Sequence, residues 1–317
     1  MHERSAPPSL TLNLLGTPEI LQGGERLDLL TSTRAQALLF YLAVTGTEQT
    51  RRQLAALLWD DGGDGRARAR LRKTLQLLRV HLNGVLSIRA AAPYTVSLNF
   101  DSSVVLDVAS FERLTAQNAN EADLHSAINL YRGEFLTGFD LSKAPDFDHW
   151  VASRRQALRE QLYSASFRLV QRYESNQRWA EAIAMCRHMV DREPWREEAH
   201  RKLIELLAHS GDRSSALAHY QICRMALREE LNVEPDHATK TLALQIRSGQ
   251  NGLLSQESAT PTALSNPTLP PFQFDLLDAP TMADFFGRRA ELGQLTQWVV
   301  RDRCRVTAVL GIGGMGK

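Results

Sequence analysis

The residues of this 317-residue chain with the plainest chemical capability are cations gathered in one short stretch. Arg66, Arg68, Arg70, Arg72, Lys73, Gln76 and Arg79 all fall within RARARLRKTLQLLR. Projected as a helix at about 100° per residue, Leu71, Leu75, Leu78 and Leu82 share a narrow sector that must face a core. Arg66, Ala69, Arg70, Lys73 and Gln76 point the opposite way, and Arg68, Arg72 and Arg79 flank the leucines. The major groove of duplex DNA accepts one α-helix. Arg or Lys suits guanine there, and Gln suits adenine, each through paired hydrogen bonds. Arg66, Arg70, Lys73 and Gln76 are therefore candidate base readers. Arg51, Arg52, Arg68, Arg72, Arg79 and Arg89 are candidate phosphate contacts, which add salt-dependent but sequence-blind affinity. The plainer use of such a face is solvation. Against it, no acid occurs between Gly65 and Val85, so the stretch lacks the i,i+4 partners of an ordinary solvated helix.

A second chemistry is written at the other end. Gly311, Gly313, Gly314, Gly316 and Lys317 complete the pattern GxxxxGK after the apolar run Arg305–Leu310. Such glycines let backbone amides approach phosphate oxygens, and the lysine reaches the β/γ-phosphates. The sequence stops at that lysine, before any Ser or Thr that would hold Mg²⁺. The chain as given is therefore expected to need no cofactor and not to hydrolyse ATP; ATP and Mg²⁺ enter only with a full NTPase domain.

Other chemistries find no support. The nine histidines show no metal-ligand spacing, and no Ser/His/Asp or paired-carboxylate arrangement stands out, so neither a catalytic nor a metal site is expected. Cys186, Cys223 and Cys304 are odd in number and far apart, which argues against disulfides and fits a reducing cytoplasm. Cys186 and Cys223 read as packing residues, and His200 and His209 as core-edge or surface groups. Trp179, Trp195, Tyr173 and Tyr220 read as interhelical packing, with a peptide groove the lesser alternative.

The elements that must position these groups follow from composition and periodicity. At 43% hydrophobic and 23% charged the chain can bury a domain-sized core, and no apolar run approaches the roughly 18–20 residues of a membrane span. The net charge of +1 hides a local excess: between Thr31 and Arg89 stand ten Lys/Arg against four acids. Leu10–Leu15 and Glu25–Leu30, separated by Gly23-Gly24, read as strands. Thr33–Leu42, Thr50–Trp59 and Arg66–Asn83 read as helices, with Asp60–Gly65 (DDGGDG) as a break. Val85–Arg89 and Thr95–Phe100 read as a hairpin. From about Val104 to Ser248 the periodicity is helical throughout. Ala182-Ile183 recurs 34 residues later as Ala216-Leu217, the period of tetratricopeptide helix pairs. Five prolines between Gly249 and Pro280 mark a linker.

A helix ending in LLW, then ARARLRKTLQLLRVHL, then a hairpin leading into LDVASFERL together resemble the OmpR-type winged helix-turn-helix. LYRGEFLTGF, DHWVASRRQALREQL and GDRSSALAHYQICRMALREELNVEPDHAT resemble the bacterial transcriptional activator domain that follows such a winged helix in SARP-type regulators. The resemblance covers roughly Leu10–Arg247. It implies a mainly α fold: a DNA-binding domain over 8–102, then a tetratricopeptide-like helical domain over 103–248. It further implies a cytoplasmic transcriptional activator that binds double-stranded DNA as a homodimer and contacts RNA polymerase, often through the loop here spelled DDGGDG. Phe285–Leu292 (FFGRRAEL) resembles the element opening STAND-type regulatory NTPases, so 249–283 is expected as linker and 284–317 as the truncated start of a P-loop domain. The competing expectation is a signalling scaffold whose helical repeats bind protein.

Overall fold

A computed structural model describes residues 10–27, 32–59, 63–82, 87–89, 94–99 and 104–249. The expected linker and P-loop segment, with Gly311–Lys317, lie outside the described residues. Among the described residues no helix is long and apolar enough to cross a membrane.

Strand β1 (Leu10–Asn13) pairs antiparallel with β2 (Glu19–Gln22), which pairs with β3 (Glu25–Arg26). Gly23 and Gly24 make the β2–β3 turn with φ of 61° and 90°, the positive values that a two-residue hairpin loop demands of both central positions. The expected strand at Glu25–Leu30 is thus confined to its first two residues, Asp28–Leu30 lying outside the description. Its partner, β2, escaped the sequence reading because four residues with one buried side chain carry little periodicity.

Helix α1 (Thr33–Thr45) opens at Ser32, whose hydroxyl accepts from the Ala35 amide at 3.4 Å. Strand β4 (Gln49–Thr50) leads directly into α2 (Arg51–Leu58). There Thr50 and Gln53 form a reciprocal capping box that satisfies two otherwise orphaned amides. Helix α3 runs from Gly63 to His81, so the expected break at Asp60–Gly65 is shorter than its composition suggested. Gly and Asp are tolerated in a first turn, whose amides have no intrahelical partner anyway. Strands β5 (Ser87–Arg89) and β6 (Thr95–Asn99) form the hairpin, and β4 adds to it in the order β4-β6-β5. Three helices with a small sheet on either side make a winged helix-turn-helix.

Val104–Leu106 is not helical: it forms β7, parallel to β1, completing the sheet β3-β2-β1-β7. Helices α4 (Asp107–Leu114), α5 (Glu121–Leu130) and the long α6 (Pro145–Ser175) follow, then α7 (Trp179–Arg192), α8 (Glu197–His209), α9 (Arg213–Leu231) and α10 (His237–Ser248). The starts of α7 and α9 lie 34 positions apart, and Ala182 and Ala216 at equivalent sites are fully buried. Small residues there let paired helices approach closely.

One hydrophobic cluster runs continuously from Leu10 and Leu12 through Leu38, Leu54 and Leu75 to Phe111, Phe135, Phe147 and Leu162. The winged helix therefore shares its core with α4, α5 and the first half of α6. A second cluster, from Leu124 and Leu169 to Ile246, fills the repeat. At the junction, buried Asp107 accepts hydrogen bonds from the amides of Leu14 (2.7 Å), Leu15 (2.8 Å) and Val108 (2.7 Å). Burial raises its pKa against the pull of those three amides and of Arg132. Beside it the backbones nearly touch: a Cβ on Gly133 would sit 3.2 Å from the Gly16 Cα. Arg155 then donates to the carbonyls of Phe135 and Leu136 at 2.7 and 2.8 Å, tying α6 to the same crossing.

Candidate nucleic-acid interface

The leucine stripe of α3 is buried as a block: Leu71, Leu75, Leu78 and Leu82 pack into the first cluster. Ala67 joins them one turn earlier. With that stripe inward, Arg66, Arg68, Ala69, Arg70, Arg72, Lys73, Gln76 and Arg79 are all exposed. At 1.5 Å per residue the cationic face from Arg66 to Arg79 extends about 20 Å, close to the reach of one major-groove segment.

Local capping sets where α2 delivers its own cations. Because the Thr50–Gln53 box fixes the start of α2, Arg51 occupies the first helical position and Arg52 the next, exposed. The Arg51 amide donates to the Tyr94 carbonyl at 2.8 Å, and β4 pairs Gln49 with Val96 and Thr50 with Thr95. The hairpin and the α2 terminus are thus one hydrogen-bonded unit. Arg51, Arg72, Lys73, Gln76 and Arg79 line a single open hollow with Val80 and the edges of Leu75 and Leu77. The Nε of Arg51 is buried and has no hydrogen-bond partner among the described residues.

Not every expected residue joins that hollow. Arg66, Arg68 and Arg70 lie further toward the start of α3, outside it. Arg89 sits on β5, but its side chain is outside the description. Arg34, one of the ten cations counted in the basic region, has a structural use. It donates to the Leu58 carbonyl (3.3 Å) and the Ser142 carbonyl (3.1 Å) and lies 5.9 Å from the Trp59 ring.

Two further residues belong to this surface and were not singled out from sequence. Val80 is 64% exposed on the outward side of α3, and Tyr94 is 77% exposed at the start of β6. The signals were present: an apolar residue off the leucine stripe, and an aromatic at a hairpin end.

Elsewhere the titratable groups are occupied structurally. No group of three or more His, Cys, Asp or Glu among the described residues is placed to hold a metal ion. Cys186 and Cys223 are fully buried, and burial pushes both thiols up to about 12, which leaves them unreactive. His200 is fully buried, not a core-edge group as the sequence suggested. Its Nε2 lies 2.9 Å from the Pro194 carbonyl and its Nδ1 3.1 Å from Nε2 of His219. Trp179 stacks on His209 with centroids 5.9 Å apart.

Residues 106–247 match the family model described as the bacterial transcriptional activator domain. Over 332 aligned positions the chain is 25% identical to the regulatory protein AfsR of Streptomyces coelicolor, an alignment covering 99% of this chain and 32% of that protein. The AfsR of Streptomyces griseus is 26% identical over 316 positions, covering 98% of this chain and 31% of that one. The chain thus spans about a third of the length of these curated relatives. Among solved structures, Mycobacterium tuberculosis EmbR, in complex with a low affinity phosphopeptide, superposes with a TM-score of 0.61 at 21% identity. That superposition covers 76% of this chain and 66% of the other, and the likeness concerns the fold.

Proposed function

We propose, from a chain that carries a bacterial transcriptional activator domain over residues 106–247 in the SARP-type arrangement, that it regulates transcription by gripping duplex DNA with α3. The observation that carries this reading is the division of α3 into a wholly buried leucine stripe and an exposed face of five arginines, one lysine and one glutamine. In this reading Arg66, Arg70, Lys73 and Gln76 meet base edges, and Val80 offers an apolar contact for a thymine methyl. Arg51, Arg52, Arg68, Arg72 and Arg79 meet phosphates, with Arg89 on the hairpin.

The shared core between the winged helix and α4–α6 supports a division of labour without a free hinge. Residues 8–102 bind DNA, and 103–248 form the helical platform from which RNA polymerase and a second copy of the chain are contacted. Activation, and not repression, is the reading that the family description favours. Selection of bound duplexes from a random pool tests it. A recurring motif is expected, and its sharpness is expected to fall when Lys73 and Gln76 are replaced by Ala. Recovery of random sequence by the unaltered chain would count against base reading.

A further inference from the structure

Arg34 occupies the second position of α1, where a cation opposes the positive end of the helix dipole and no acidic residue stands in the first turn to offset it. What it holds gives that placement a use. Its Nε donates to the carbonyl of Leu58, the last residue of α2, at 3.3 Å, and a terminal nitrogen donates to the carbonyl of Ser142 at 3.1 Å. The guanidinium lies 5.9 Å from the ring centroid of Trp59, the residue that closes α2. A cation at the C-terminal end of α2 is favoured by the same dipole effect that disfavours it at the start of α1.

These contacts join parts of the chain that are far apart in sequence. Leu58 and Trp59 stand at the end of α2, and Gly63, where α3 begins, follows four positions after Trp59. Ser142 stands in the segment leading into α6, between Leu141 and Ala144, both buried in the shared core. Phe139 of that segment meets Phe40 of α1 edge-on, with centroids 5.4 Å apart. Arg34 therefore fastens a packed segment of the helical domain to the elbow from which α3 departs. A planar guanidinium serves two carbonyls at a fixed separation, which a lysine ammonium on its flexible stem does not. Precision matters at that elbow because paired hydrogen bonds to base edges require placement to within about 0.5 Å. Attraction to phosphates is sequence-blind and far more tolerant.

We propose that Arg34 is a positioning residue for base reading: by holding the end of α2 against the segment before α6, it lets the helical domain set where the outward face of α3 lies. The inference rests on the reading of α3 as the DNA-binding helix, and adds a residue that acts without touching DNA.

The test compares the full chain with Arg34→Gln and Arg34→Lys, measuring affinity for the selected duplex motif and for random duplex across a salt series, below each melting temperature. Arg34→Gln is expected to weaken motif binding roughly tenfold, about the loss of one paired base contact, while affinity and salt slope on random duplex stay unchanged. Arg34→Lys, which keeps the charge without the fork, is expected to lose the motif preference likewise, and it carries the test if the glutamine variant does not fold. An equal fall on both duplexes, with a slope shallower by about one, would make Arg34 a phosphate contact and overturn the proposal. So would a lowered melting temperature with unchanged motif preference, the mark of a purely structural role, or full preference in Arg34→Lys. If the unaltered chain selects no motif, the reading of α3 fails and this inference with it; a motif whose preference survives Arg34→Gln removes this inference alone.

Discussion

The backbone amide of Arg51 donates to the carbonyl of Tyr94 at 2.8 Å, so the first residue of α2 and the first residue before β6 move together. Two roles of Arg51, one in its amide and one in its side chain, can be separated by substitution. Arg51→Ala keeps the amide. It is expected to leave the melting temperature unchanged and to lower the dependence of DNA affinity on salt by about one phosphate's worth. Arg51→Pro is compatible with a first helical position but removes the donor, and is expected to cost about 1 kcal/mol of stability in addition. Equal stability of the two variants in denaturant titration would contradict the assigned role of the amide.

The leucine stripe is what points the cations outward. Leu75 is buried to 1% exposure and sits midway along α3. Leu75→Ala is expected to cost about 2–5 kcal/mol, measured by urea denaturation, through lost burial and a residual cavity. Replacement of exposed Gln76 by Ala is expected to stay within about 0.5 kcal/mol. A similar cost for both would mean that α3 is not packed as described.

The junction predicts a defect confined to a backbone crossing. Gly133→Ala brings its Cβ to 3.2 Å from the Gly16 Cα, a main-chain atom that cannot swing aside. A loss of about 1–3 kcal/mol is expected. Asp107→Ala strands the amides of Leu14, Leu15 and Val108 and is expected to cost about 3 kcal/mol. Asp107 itself titrates above an ordinary carboxylate, so its own contribution weakens as pH rises through its folded value and is fully retained in acid. Wild-type melting temperatures matched by either variant would contradict the junction.

The histidine pair sets an opposite trend. With Nε2 of His200 donating to the Pro194 carbonyl, its Nδ1 must accept from Nε2 of His219, and that arrangement needs His200 neutral. Burial and the neighbouring His200 lower His219 to about 4, and burial lowers His200 too. A histidine depressed in the folded state supports stability above its unfolded pKa. That support is lost as pH falls from about 6.5 toward about 4. His219→Gln is expected to flatten the decline by about 2 kcal/mol across that window, allowing for partial solvent exposure. An unchanged pH profile of thermal melting would refute the pairing.

Sequence carried the long elements well and the short ones poorly, for a physical reason. Helix α3 declares itself because four leucines repeat at helical spacing and nothing acidic interrupts the opposite face. Strands β2, β4 and β7 are two to four residues long, and β4 and β7 exist only through partners about 45 and 90 positions away. No local period records such pairing. The cations of the interface were legible as residue types. Which of them share a hollow was not, because Arg51 meets Arg72 and Arg79 only through the packing of α2 on α3. Arg34 and His200 show the same limit: their carbonyl partners, Leu58, Ser142 and Pro194, are brought close by packing alone.

The central claim rests on the outward face of α3 and is tested most directly by fluorescence anisotropy of labelled duplex DNA across a salt series. For the unaltered chain, log affinity is expected to fall steeply and linearly with log salt, and Arg70→Ala with Lys73→Ala is expected to weaken binding at least tenfold with a shallower slope. Unchanged affinity and slope in a double variant that melts like the unaltered chain would contradict the assignment of α3 as the DNA-reading helix.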